Sequence, residues 1–210
     1  MEVKKAYNVW AEQYDSNENK TRDLEAISLR ETLQNMKIDN CLEIGCGTGK
    51  NTEWLITKAN NITAVDLSDE MLARAKSKII SDKINFIQAD ITMEWNFAQD
   101  KKFDLVTFSL VLEHLEHLDL IFEKLNKVTS EGGYVYIGEL HPFKQYSGTK
   151  ARFETDNGVQ TVTCFNHNIS DFTLGATRNG FQIVVLQEYF DDNNRTNIPR
   201  ILTLLLRKTK

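Results

Sequence analysis

Two prolines in 210 residues, three cysteines and no long apolar run set the first limits on this chain. With so little proline and only ten glycines, a fibrous or low-complexity protein is excluded. The longest apolar stretches, such as Leu202 to Leu206, are far too short to span a bilayer, so no membrane is expected. Cys41, Cys46 and Cys164 are an odd number without metal-ligand spacing. They read as reduced thiols of a cytoplasmic protein, and no metal is expected. Nor is there a surplus of positive charge: 25 basic residues face 30 acidic ones, a formal net of -5. A nucleic-acid binder carries a basic field or stripe, and neither is present. Arg207, Lys208 and Lys210 read as a solvated tail, and the opening Met1-Glu2-Val3-Lys4-Lys5 lacks the apolar core of a secretory signal.

What is present is a 41% hydrophobic, 26% charged chain, ordinary for a soluble protein. Its length suffices to bury a core without staples. The pattern alternates. A helix over the first dozen residues carries Tyr7, Trp10 and Tyr14, and a second, from about Thr21, carries Ala26, Leu29, Leu33 and Met36 at helical spacing. Strands are predicted over 41–45, 62–66, 84–89, 103–109 and 134–140. Helices are predicted over 51–59 and 69–80, and a further one is marked by Leu118, Ile121, Phe122, Leu125 and Val128 and ended by Gly132-Gly133. Such alternation implies βαβ units and a parallel sheet covered on both faces. The ending differs. Two β-prone pieces, 151–155 and 160–165, flank the turn Asp156-Asn157-Gly158. A helix over 170–179 stops at Gly180. Strands 181–188 and 198–207 follow with no helix between them and should pair antiparallel. The chain reads as one α/β domain over 1–210, with an N-terminal helical cover (1–38) and a β-hairpin insertion (143–166).

The sharpest motif is Leu42-Glu43-Ile44-Gly45-Cys46-Gly47-Thr48-Gly49, between a predicted strand and a predicted helix. Glycines there allow a tight turn and close approach of backbone to a ligand. Asp66 ends the next strand, about 20 positions on, where an acidic side chain meets ribose hydroxyls. Asp90 ends the third. All three points lie at the carboxyl ends of neighbouring strands, where open α/β sheets bind ligands. The turn is neither the Gly-x-Gly-x-x-Gly of a nicotinamide site nor a Walker lysine loop. A ligand with ribose but no phosphate fits it best.

With Met71-Leu72, Gln88-Ala89-Asp90, Phe103-Asp104-Leu105-Val106, Ser109-Leu110-Val111-Leu112-Glu113-His114 and Glu131-Gly132-Gly133, these motifs give a sequence that resembles the class I S-adenosylmethionine-dependent methyltransferases over about residues 40 to 140. The resemblance implies a doubly wound, Rossmann-like seven-stranded sheet of order 3-2-1-4-5-7-6 with the last strand antiparallel. It implies S-adenosyl-L-methionine as cofactor. Gly45, Cys46 and Gly47 would lie under its methionine part and Glu43 would orient that turn. Asp66 would take the ribose hydroxyls, with Leu67 and Met71 near the adenine. Asp90 and the Ile91 N–H would reach the ring, and the backbone near Ser109 would accept from the ammonium. The cofactor brings the electrophile, so the protein orients and excludes water.

Other candidates each carry two readings. Trp10 and Tyr14, with Tyr7, share a helical face that either docks the helix or covers the sulfonium. Arg22 either pairs the methionine carboxylate or is a solvated charge. His114 either lines the pocket or packs beside it, and the His114/His117 pair lacks a third metal ligand. His141 follows the fifth strand and is either the base that takes the acceptor's proton or a hydrogen-bonded structural histidine. Gln145 and Arg152, in or near the insertion, either recognise an anionic substrate or belong to an ordinary surface loop. The expected function is methyl transfer to an O or N atom of a small metabolite by a cytoplasmic monomer or homodimer. The rivals are a cofactor-binding protein of the same fold without catalysis, and an NAD-dependent oxidoreductase.

Overall fold

The computed structural model describes residues 1–156 and 158–209, so Asn157 of the expected turn lies outside the described residues. Two helices, α1 (Val3–Trp10) and α2 (Lys20–Leu33), come first. Asn19 caps α2, its side chain accepting the amides of Thr21 and Arg22 at 3.0 Å. The alternating part then runs β1 (Ile38–Ile44), α3 (Thr52–Leu55), β2 (Ala59–Asp66), α4 (Asp69–Lys78), β3 (Ile84–Gln88), β4 (Phe103–Ser109), α5 (Asp119–Val128) and β5 (Thr129–Leu140). After it come α6 (Pro142–Tyr146), the hairpin β6 (Arg152–Thr155) and β7 (Gly158–Thr161), α7 (Ile169–Arg178), β8 (Phe181–Tyr189) and β9 (Ile201–Lys208).

Among the described residues, seven strands form one sheet of order β3-β2-β1-β4-β5-β9-β8. With the two hairpin strands counted in the numbering, this is the expected topology. β9 runs antiparallel to both β5 and β8, and the hairpin forms its own two-stranded sheet. Residues of β5 and β9 alternate between two cores. Ile137, Leu204 and Leu206 join Phe122, Phe172 and Ala176 of α5 and α7 on one face. Tyr136 and Leu205 join Leu29, Leu33, Leu55 and Leu72 of α2, α3 and α4 on the other. A third cluster, Ala6, Trp10, Met71 and Phe153, fastens α1 to α4 and to the hairpin. No helix among the described residues is long and apolar enough to cross a membrane.

Several boundaries shift by a few residues, among them the second hairpin strand, expected over 160–165 and found at Gly158–Thr161, and two differences have a plain physical reason. The helix expected over 51–59 is only Thr52–Leu55, because β2 begins at Ala59, where it pairs in parallel with Ile38. The Gly132-Gly133 pair lies inside β5 instead of ending α5. Phe103 pairs with Thr129 but Leu105 with Tyr134, so the glycines occupy an irregularity in the ladder. A Cβ on Gly133 would sit 2.9 Å from the Ser130 carbonyl oxygen.

Candidate active site

The carboxyl ends of β1, β2, β3 and β4 converge on a cavity of about 280 Å³. The glycine turn forms its floor. The Gly45 and Cys46 amides donate to the Val65 carbonyl at 2.7 and 3.0 Å, which locks the turn onto β2. Gly45 and Gly47 have φ of +72° and +54°, conformations that favour glycine. A Cβ on Gly45 would lie 2.2 Å from Val111 Cγ2, whereas one on Gly47 would meet nothing within 4 Å. Gly47 therefore presents bare backbone to the cavity.

Asp66 joins the two loops. Its Oδ2 accepts the Gly47 amide and its Oδ1 the Ser68 amide, both at 2.8 Å. Burial pushes its carboxyl up to about 6, against the pull of those amides. Asp90 accepts the amide and hydroxyl of Thr92 at 2.8 and 2.7 Å. Leu67, Asp90, Ile91, Ser109 and His114 all line this cavity, as do Tyr7 and Tyr14. Both tyrosines are thus part of the cover over the site. Trp10 is not; it stacks on Phe153 of the hairpin with ring centroids 5.1 Å apart. His114 is held between the Tyr7 hydroxyl at Nε2 (2.7 Å) and the Thr163 carbonyl at Nδ1 (2.8 Å).

A smaller space of about 50 Å³ continues past the glycine turn, lined by Arg22, Glu25, Glu43, Cys46, Asn51 and Ser109 among others. Glu43 Oε2 accepts the Thr52 hydroxyl at 2.6 Å, and Glu25 accepts from Asn51 (2.9 Å) and Tyr136 (3.1 Å). Burial raises Glu25 to about 7 and Glu43 to about 8. Arg22 donates to the carbonyls of Tyr14 and Asn17, and its guanidinium lies 4.0 Å from the centroid of the Tyr14 ring. Its Nε, like Asn51 Oδ1, is buried with no hydrogen-bond partner among the described residues. Unmet donors and acceptors at one end of a glycine-floored cleft suit a zwitterionic group.

Several expectations need correction. His141 does not face the crevice. It is fully buried; its Nδ1 accepts the Phe143 amide at 3.2 Å and its Nε2 meets Glu188 at 2.9 Å. The main-chain amide of His141 donates to Arg200 across the β5–β9 ladder, which carries the side chain toward β8. Burial lowers its imidazole pKa, with Glu188 opposing. Gln145 is likewise buried, its Oε1 accepting the His167 amide, and Met71 lies under α1, away from the cavity walls. Among the described residues His117 joins no ligand set, yet Glu113 and Cys164 do bring ligand atoms within 4.8 Å of His114. That arrangement was invisible because Cys164 is distant in sequence. Both His114 nitrogens already have partners.

Sequence reasoning also missed Glu25 and Glu139. Glu139 Oε1 accepts the amides of Val111 and Leu112 at 2.9 Å and so holds the loop after β4, where Leu110 has a φ of +58°. Burial raises Glu139 to about 8 and Glu113 to about 7. An isolated glutamate inside a strand or helix gives no motif.

Residues 42–137 match the family described as Methyltransferase domain. The chain is 32% identical over 102 residues to malonyl-[acyl-carrier protein] O-methyltransferase 2 of Ilyobacter polytropus, covering 47% of this chain and 38% of that one. It spans under half the length of the malonyl-[acyl-carrier protein] O-methyltransferases it matches. Among solved structures, an S-adenosylmethionine-dependent methyltransferase of Listeria monocytogenes described as putative superposes with a TM-score of 0.76 at 20% identity, covering 90% of this chain and 99% of the other. The structure of DhpI in complex with SAH superposes with a TM-score of 0.75 at 23% identity, covering 97% and 93%. These two share the fold.

Proposed function

We propose that the chain is a class I S-adenosylmethionine-dependent methyltransferase that moves a methyl group to an oxygen or nitrogen atom of a small metabolite. The carrying observation is the Asp66 carboxylate, fixed at 2.8 Å by the Gly47 and Ser68 amides at the edge of the cavity. That geometry supports a ribose at Asp66, with Asp90 and Ile91 on the same cavity wall for an adenine. Asp66 would hold the ribose hydroxyls, and Gly45, Cys46 and Gly47 would pass under the methionine part. Arg22 would reach the methionine carboxylate, and Glu43, Glu25 and Ser109 would surround the ammonium. When bound, S-adenosylmethionine supplies a methyl group on a positively charged sulfur.

Tyr7, Tyr14 and His114 would exclude water and fix the approach of the acceptor. With His141 turned away, proximity and orientation are the main contribution of the protein. The hairpin segment, 143–166, would wall the acceptor side of one domain that runs over 1–210, in the cytoplasm, as a monomer or homodimer.

The test has two steps. Calorimetry should give micromolar binding of S-adenosylhomocysteine and none of NAD. Radiolabelled S-adenosylmethionine, incubated with a metabolite panel, should then transfer label. Binding without transfer to any acceptor would favour a cofactor-binding protein; absence of binding would end the reading.

A further inference from the structure

A third cavity, of about 310 Å³, opens beside the first two and shares Tyr14 and Leu110 with both. Its walls carry five basic residues, Lys20, Arg22, Lys150, Arg152 and Arg200, against two acidic ones, Glu18 and Glu113. This concentration is unexpected in a chain of net charge -5. The five come from separated segments: the starts of α2 and β6, the residue before Ala151, and the approach to β9.

Two of the five are occupied. Arg200 forks onto Asp191 at 2.5 and 2.6 Å, and Arg22 is held by the carbonyls of Tyr14 and Asn17. Lys20, Lys150 and Arg152 make no ion pair among the described residues. A concave surface with surplus charge of one sign concentrates ligands of the other.

We propose that the methyl acceptor is an anionic small molecule, its carboxylate or phosphate held by Lys20, Lys150 and Arg152 and its nucleophilic hydroxyl or amine turned inward to Leu110 and Tyr14. The proposal rests on the methyltransferase reading and names the acceptor class for that site. Leu110 stands where the three cavities meet. Its left-handed backbone is held by its N–H, which donates to the Gly138 carbonyl at 2.8 Å, and by Glu139, which accepts the two following amides. Non-glycine residues in this conformation gather at ligand clamps. The buried Glu113 at the inner end disfavours an anion there, so the cavity is polarised: cations accept the acid group and the other end takes the neutral hydroxyl or amine.

The test uses the full chain saturated with S-adenosylhomocysteine. Succinate, inorganic phosphate and neutral succinamide are titrated in separately. At least one anion should bind about tenfold tighter than succinamide, the scale of one charge-assisted hydrogen bond. Stronger binding of succinate identifies a carboxylate site, and of phosphate a phosphate site. Lys150→Ala/Arg152→Ala should remove that preference while affinity for S-adenosylhomocysteine and Tm stay unchanged, both side chains being exposed. A preference that survives the double substitution, or equal binding of succinamide and the anions, would overturn the anionic acceptor and leave the cofactor reading standing. Failure of S-adenosylhomocysteine to bind would overturn both.

Discussion

Asp66→Asn keeps the shape of the side chain and removes its charge. Both carboxylate oxygens already accept a main-chain amide at 2.8 Å. In the variant, one of them becomes an NH2 group, which must face the amide of Gly47 or of Ser68 and cannot accept it. The turn thus loses one charge-assisted hydrogen bond, about 1.5–3 kcal/mol. The ribose loses an acceptor as well. The Kd of S-adenosylhomocysteine by calorimetry is expected to rise about 10- to 100-fold. The pH dependence has a sign of its own. Burial lifts the Asp66 carboxyl to about 6, so the free protein takes up a proton there as pH falls. Wild-type affinity should therefore weaken between pH 7 and pH 5, and the Asn variant should be flatter. Stability runs the opposite way. A folded pKa above the unfolded one favours the protonated native state, so this site stabilises most below pH 3.8 and the contribution is lost as pH rises through 6. A variant Kd within about twofold of wild type, with circular dichroism unchanged, would refute the ribose assignment.

Gly45→Ala should destabilise the protein by more than about 2 kcal/mol in denaturant unfolding, since its Cβ meets Val111 at 2.2 Å in a left-handed backbone. Gly47→Ala, with open space around its Cβ, should cost only about 1 kcal/mol of stability while weakening cofactor binding, and calorimetry beside unfolding separates the two. His141→Ala should lower stability by about 1–3 kcal/mol by removing the α6 cap and the Glu188 partner, yet leave kcat within about threefold once an acceptor is known. A loss of tenfold or more in kcat at unchanged Tm would restore His141 as the base.

The sheet was legible in the sequence because its signal is local and repeated. The run Phe103–Ser109 has the predicted bounds and Asp66 ends β2, while Asp90 lies two residues past the end of β3. Strand ends that depend on a neighbour were not. The early start of β2 at Ala59 follows from pairing with Ile38, which no window around residue 59 contains. The same holds for His141. Its position after a strand is a sequence property, but its direction is set by the β9 ladder 60 residues on. Glu25 reaches the site from α2 only because Tyr136 and Asn51 are brought to it by the fold.

Glu25 and Glu43 sit at the acidic end of the cleft with carboxyls raised to about 7 and 8, so near neutrality both retain much of their protons. A ligand bearing a fixed positive charge, settling between them, lowers both pKa values and drives those protons into solvent. Occupation of the cleft is then an exchange of one cation for another. Its heat, measured at one pH, should shift with the ionisation enthalpy of the buffer, and its apparent affinity should climb as the medium becomes more alkaline through that range.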